Sequence, residues 1–152
     1  MNFLQTHLDA IRKTFPELVA AVTASAGGVF AISASREGSP TATQARQWLH
    51  SAYDPKKESR AWAEVQTKEW QPGELGVVLG AGLLYHIEAL AAAKPSGGRL
   101  AVVISDIGAF KDALGVRPLG PWFNAIEWIW GDTDDMAAQL ASKSAPLRFF
   151  TY

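Results

Sequence analysis

The chain has 152 residues, no cysteine, and a net charge of −1 from 14 basic and 15 acidic side chains. This length suits one domain with its own core, and the absence of cysteine excludes disulfides, thiolate metal sites and cysteine nucleophiles. A nearly neutral chain without a run of basic residues does not predict nucleic-acid binding. The amphipathic, mixed-charge start is typical of neither a signal peptide nor a membrane span, so we expect a cytoplasmic protein without a membrane partner.

The first part of the chain predicts two helices and a small hairpin. Apolar residues recur at helical spacing across residues 3–11, and Pro16 ends or restarts this helix before a second apolar run. Gly27-Gly28 then breaks the pattern. The following VFAISAS alternates like a half-buried strand, and we expect it to form a hairpin with residues 41–49.

A charged helix closes this N-terminal section. Asp54 is a favourable helix cap, Pro55 suits the first helical position, and KKESRAWAEVQTK continues the helix. Pro72-Gly73 ends the section. We therefore predict a helical and hairpin section over residues 1–73, and an α/β section over residues 74–152, together forming one compact domain.

From residue 74 onward, strand patterns alternate with helix patterns. The predicted strands are 76–79, 100–105, 126–130 and 147–151, and the predicted helices are 83–93, 109–114 and 134–142. Such alternation is typical of a parallel sheet with helices on its faces. The predicted fold class is thus α/β, a Rossmann-like sheet of the methyltransferase type, preceded by the small N-terminal section.

The first strand of this sheet runs into a glycine turn that opens a helix. Gly80 and Gly82 allow a sharp turn and a close backbone approach, and the free N–H groups of a helix start favour polar or anionic acceptors. Tyr85 and His86 lie in the first turn of that helix. The segment predicts a nucleotide-type ligand site, although a tight turn without a ligand has the same pattern.

Two further groups of polar residues are candidates for the same site. Asp106 follows the second strand, where an acidic side chain holds ribose hydroxyls in Rossmann-type sites, but it also suits a helix cap. Four polar residues cluster just before the charged helix, although a turn and a cap explain two of them. These four are His50, Ser51, Tyr53 and Asp54. We expect His50, Tyr53 and Asp54 to face the glycine turn across one cleft.

Other polar and aromatic clusters have simpler explanations. Asp132, Asp134 and Asp135 match a helix cap with an acidic first turn, and no metal is expected. Trp128 and Trp130 share one face of a strand and match core packing. No nucleophile–base pair or zinc spacing is present, so no catalytic residue is assigned.

Several of these motifs, in this order, resemble the N-terminal region of the motility-associated factor (Maf) family of bacterial flagellin glycosyltransferases. That region reads H-S-x-Y-D-P-x-x-E, then L-G-x-G-x-G-Y-H, then a strand ending in E-P-D. Leu84 replaces the third glycine here, and Ile104-Ser105-Asp106 replaces E-P-D. The matching residues are His50, Ser51, Tyr53, Asp54, Pro55, Glu58, Gly80, Gly82, Tyr85 and His86.

The resemblance implies a cytoplasmic protein that helps to place nonulosonic acid sugars on flagellin from a nucleotide-activated donor. It also implies a sugar-transfer domain downstream, and the last predicted strand reaches Tyr152 without a polar tail, so we expect a longer natural protein. The cofactor candidates are a nucleotide-sugar and S-adenosylmethionine. Two alternatives remain open: a methyltransferase-like protein, and a ligand-free interaction module.

Overall fold

The computed structural model describes residues 2–152. Its N-terminal section contains three helices and a small antiparallel sheet in the strand order β1-β2-β3. The helices are α1 (Leu4–Ile11), α2 (Pro16–Ala24) and α3 (Pro55–Gln66), and the strands are β1 (Ala31–Ala34), β2 (Pro40–Gln44) and β3 (Gln47–Trp48). Pro16 occupies the first turn of α2, and Asp54 caps α3 by accepting the Lys57 N–H at 2.9 Å. Both sequence predictions of helix starts are therefore confirmed.

The predicted hairpin is also present, but its first strand differs from expectation. β1 pairs with β2 from Ala31 opposite Thr43 to Ala34 opposite Pro40. All four residues of β1 are exposed, so the half-buried strand expected from VFAISAS is wrong. The reason is the position of β1 at the edge, because only β2 reaches the core, through the buried Thr41 and Ala42.

A single carboxylate ties the loop before this hairpin to the rest of the fold. Asp112 accepts hydrogen bonds from the N–H groups of Gly28, Val29 and Phe30, at 2.7, 2.6 and 2.9 Å. Gly27 and Gly28 adopt φ angles of +71° and +73°, which let three successive N–H groups converge on one side chain. Asp112 therefore fixes the path between α2 and β1.

The second section is a four-stranded parallel sheet with helices between its strands. The strands are β4 (Leu75–Leu79), β5 (Arg99–Val103), β6 (Glu127–Ile129) and β7 (Leu147–Phe150), and the helices are α4 (Tyr85–Ala93), α5 (Ile107–Val116) and α6 (Thr133–Ala141). The strand order is β6-β5-β4-β7, with all three pairings parallel. The predicted Rossmann-like α/β architecture is confirmed.

The core has two parts because successive residues of a strand point to opposite faces. Val78 belongs to the larger cluster, which also includes Leu18 of α2 and Ala63 of α3. Val77 belongs to a smaller cluster, against which Met136 of α6 packs. Within residues 2–152, the larger cluster thus contains side chains from both sections of the chain. No helix within residues 2–152 is long and apolar enough to span a membrane.

The sequence assigned the aspartates near β6 and the tryptophans of that strand to structural roles. Asp132 caps α6 by accepting the Asp135 N–H at 2.8 Å, with Asp134 in the same first turn. Trp128 is buried against Phe110, with ring centroids 5.0 Å apart. The capping role of the aspartates and the core packing of Trp128 are confirmed, and Trp130, which follows β6, is partly buried against the same core. Residues 2–152 contain no group of three or more His, Asp or Glu that could hold a metal ion.

Candidate functional site

A cleft of about 490 Å³ lies at the carboxyl edge of the parallel sheet, where β4 and β5 end. It is lined by the turn Gly80–Gly82 after β4 and by residues 104–106 after β5. Trp48 and Leu79, both more than half exposed, also line it. Open α/β sheets bind their ligands at this edge, so the cleft is the candidate site.

The turn uses left-handed backbone at three positions. The φ angles are +89° at Gly80, +47° at Gly82 and +70° at Leu84. Glycine adopts this region freely, whereas a residue with a Cβ pays roughly 1–2 kcal/mol. Leu84 is fully buried, and burial of a leucine side chain contributes about 1.5–3 kcal/mol. Core packing therefore offsets the backbone strain where the Maf pattern has glycine.

Backbone N–H groups of the turn divide into bonded and free ones. The Gly80 N–H donates to Val103 O, and the Leu83 N–H donates to His50 Nε2, each at 2.9 Å. Within residues 2–152, the N–H groups of Ala81 and Gly82 have no hydrogen-bond partner. Since both residues line the cleft, they supply two donors for an anionic or polar acceptor.

His50 anchors the glycine turn through a chain of hydrogen bonds. Its Nε2 accepts from Leu83, so Nδ1 carries the proton and donates to the Tyr152 hydroxyl at 3.0 Å. That hydroxyl donates to Glu58 Oε2 at 2.7 Å. A Cβ on Gly82 would lie 2.8 Å from His50 Nε2. Gly82 is therefore required by the close approach of His50 as well as by its φ angle.

His50 belongs to an aromatic cluster of five side chains: His50, Trp62, Tyr85, His86 and Tyr152. The rings of His86 and Tyr152 stack with centroids 4.3 Å apart and planes at 15°. Trp62 packs edge-on against both of them, at 5.9 and 5.1 Å. The cluster fixes the start of α4, and hence the glycine turn, against α3 and the end of β7.

Burial keeps both histidines of the cluster neutral. It lowers the pKa of His50 from 6.5 to about 3, with His86 and Arg117 adding charge repulsion. Burial also lowers the pKa of His86 from 6.5 to about 4, partly opposed by the Gly80 carbonyl. The same desolvation raises the pKa of Tyr152, which therefore stays protonated and continues to donate to Glu58.

The protonation states limit what this cluster can do chemically. Both ring nitrogens of His50 are hydrogen-bonded, so it positions the turn and is not free to act as a base. His86 Nε2 lies 3.4 Å from Gly80 O and must carry the proton, which leaves Nδ1 as a buried acceptor without a donor in residues 2–152. The arrangement favours ligand binding over proton transfer.

The structure places the other residues of the His50 motif away from this cleft. Ser51 Oγ accepts the N–H groups of Tyr53 and Asp54, and Asp54 caps α3. Tyr53 is 60% exposed, and the Arg36 guanidinium lies 4.4 Å from its ring centroid. The expectation that His50, Tyr53 and Asp54 share a cleft with the turn is corrected, since none of the three lines the cleft and only His50 contacts the turn, through the Leu83 N–H.

Asp106 lies where the sequence placed it, but it is partly engaged. Its Oδ1 accepts the Ala109 N–H at 2.9 Å and caps α5. Its side chain also lines the cleft, beside Ser105 and the buried Ile104. A capping carboxylate uses one oxygen, so Asp106 can cap the helix and still present an acceptor to the cleft.

Sequence reasoning missed Trp62 and Tyr152 as members of the site. Trp62 gave no motif beyond an apolar position on a charged helix, and Tyr152 was only the end of the last predicted strand. The strand order places β7 beside β4, which brings Tyr152 to the glycine turn. An aromatic residue after the last strand was the available signal, but the sequence does not give strand order.

Comparisons with known proteins agree with this geometry at the level of the fold. No family model matches the chain, and no curated protein matches it. A solved structure, the Maf glycosyltransferase from Magnetospirillum magneticum AMB-1, is similar with a TM-score of 0.72 and 13% sequence identity. The similarity covers 98% of this chain and 32% of that chain. The chain therefore has a Maf-like fold and spans about a third of the length of that glycosyltransferase.

Proposed function

We propose that this chain is a Maf-type domain that binds the nucleotide part of an activated sugar in the glycine-turn cleft. In this proposal it serves a cytoplasmic glycosyltransferase that modifies flagellin with nonulosonic acid sugars. The observation that carries the proposal is a pair of N–H groups, at Ala81 and Gly82, that have no partner among residues 2–152 and lie in a cleft at the carboxyl edge of a parallel sheet.

The fold similarity and the contacts of the motif residues both support this proposal. The fold likeness extends over 98% of the chain, so it includes the cleft and the N-terminal section. The Maf-like motif residues His50, Gly82 and His86 are in contact around the turn, with the rings of His50 and His86 5.6 Å apart. Glu58 of the same motif ends the hydrogen-bond chain that starts at Leu83.

The chemistry of the cleft suits a ribose and phosphate-bearing ligand. The N–H groups of Ala81 and Gly82 can donate hydrogen bonds to a phosphate, as backbone N–H groups do in the phosphate sites of other turns. Asp106 and Ser105 line the facing strand end and supply acceptors for hydroxyl groups. Among the residues that line the cleft, no nucleophile is hydrogen-bonded to a base, so we assign the sugar-transfer step to other parts of a Maf-type protein.

The experiment is a calorimetric titration of the purified chain with a cytidine-monophosphate sugar and, separately, with S-adenosylmethionine. We expect binding of the sugar nucleotide, and we expect Asp106→Asn to weaken it about tenfold or more through loss of a charge-assisted hydrogen bond to ribose. Asparagine still caps α5, so the fold is retained.

The matched control is Asp132→Asn, which makes the same change at the cap of α6, away from the cleft. It should leave the affinity unchanged. Absence of sugar-nucleotide binding to the wild-type chain refutes the proposal. Micromolar binding of S-adenosylmethionine instead would favour a methyltransferase-like protein. No detectable binding of either ligand would favour an interaction module.

A further inference from the structure

A second cavity, of about 620 Å³, lies between α3, α4 and the turn of the β1–β2 hairpin. One face of α4 lines it through residues 85, 88, 89 and 92, which follow helical spacing. Tyr85 therefore lines this cavity, whereas the next residue, His86, lines the glycine-turn cleft. A volume of this size is typical of small-molecule sites.

Three cationic side chains line this second cavity. Lys56 and Arg60 lie one turn apart on α3, are exposed, and form no salt bridge within the described residues 2–152. Arg117 is only 7% exposed and donates to Glu88 at 2.7 Å. Glu88 thus offsets one of the three cations, and the residues that line the cavity supply no counter-charge for the other two.

Arg117 is held rigidly in the cavity wall. Its guanidinium lies 4.1 Å from the centroid of the Tyr85 ring, and its Nε donates to Leu83 O at 3.3 Å. The second oxygen of Glu88 is occupied by the Trp122 Nε1–H. Arg117 Nη2 is buried without a hydrogen-bond partner in residues 2–152. Arg117 is therefore fixed in the cavity wall, and its hydrogen-bonding capacity is not fully used within residues 2–152.

The rest of the lining is apolar or uncharged, with Pro40, Ala89, Ala92 and Pro118 among its residues. A ligand that fits carries a compact anionic group for Lys56 and Arg60 and a small apolar body for the remaining wall. A phosphate monoester has a charge between about −1.5 and −2 near neutral pH, which matches two uncompensated cations better than a carboxylate does.

We propose that this second cavity binds a small phosphate monoester, with the phosphate on Lys56 and Arg60 and its apolar body against α4. The site is separate from the glycine-turn cleft and does not depend on what that cleft binds. Arg117 is paired with Glu88 and packs against Tyr85 in the cavity wall, so we assign it no contact with the phosphate.

Phenyl phosphate is the probe, and amide chemical shifts of the full chain are the readout. We expect saturable shifts at Ser39, Ala89 and Ala92, and an affinity for benzoate at least about tenfold weaker because its charge is smaller. The double variant Lys56→Gln/Arg60→Gln should raise the Kd of phenyl phosphate at least about tenfold.

The control variant is Lys57→Gln/Lys68→Gln, which removes the same charge from exposed residues outside the cavity. It should change the Kd by less than about twofold, because it removes no charge from the cavity lining and exposed charges outside it are screened by salt. Equal weakening by both double variants, shifts centred on Ala81 and Gly82, or the absence of saturable shifts would each overturn the proposal. Equal affinity for benzoate would overturn the assignment to phosphate.

Discussion

Acidification should destabilise this protein between pH 7.5 and pH 5 through His50 and His86. Their pKa values fall from 6.5 to about 3 and about 4 on folding, so the unfolded chain binds more protons in this range. Stability then rises with pH, and it is lost as the pH falls below 6.5. Each histidine contributes about 2 kcal/mol to the loss at pH 5, which gives about 4 kcal/mol together.

Urea unfolding of the wild type and His86→Phe at pH 7.5 and pH 5 measures this contribution. Phenylalanine preserves the ring that stacks on Tyr152 and removes the titrating nitrogens, at the expense of one long contact to Gly80. We expect the variant to lose about 2 kcal/mol between the two pH values, half the wild-type loss. Carboxyl groups titrate mainly below this range. An unchanged wild-type stability at pH 5, or the same loss in the variant, would refute the reasoning.

Two further predictions concern backbone geometry and loop anchoring. Leu84 has a φ angle of +70°, so Leu84→Gly should be more stable than Leu84→Ala by about 1 kcal/mol, the reverse of the usual order. Both variants leave a cavity in the core, so the difference between their free energies of unfolding in urea measures the cost of the backbone conformation. Asp112→Ala should lower the free energy of unfolding by about 2 kcal/mol, measured by heat or urea, because three backbone donors lose their acceptor. The control Asp9→Ala removes an exposed ion pair and should lower it by less than about 0.5 kcal/mol. Equal costs for the two aspartate variants would contradict the role of Asp112.

The candidate site combines residues that are far apart in the sequence. His50 reaches Leu83 across 33 positions, and Tyr152 reaches His50 across 102. Neither contact follows from local spacing, because the strand order β6-β5-β4-β7 and the packing of α3 on α4 decide them. The assignment of Tyr53 and Asp54 to the cleft failed for the same reason, since proximity in sequence to His50 does not imply a shared direction. The ligand roles of the remaining residues stay predictions.

The sequence by itself determined the local features of this protein. Helix starts at Pro16, Asp54 and Asp132, the strand–helix alternation after residue 74, and the turn at Gly80–Gly82 follow from capping, periodicity and backbone freedom, which act within a few residues. Tertiary structure alone decided which side chains meet, because burial is a long-range property shared by the whole core. It placed Tyr152 on His86, turned Tyr85 toward a second cavity, and held Leu84 in a conformation that glycine prefers.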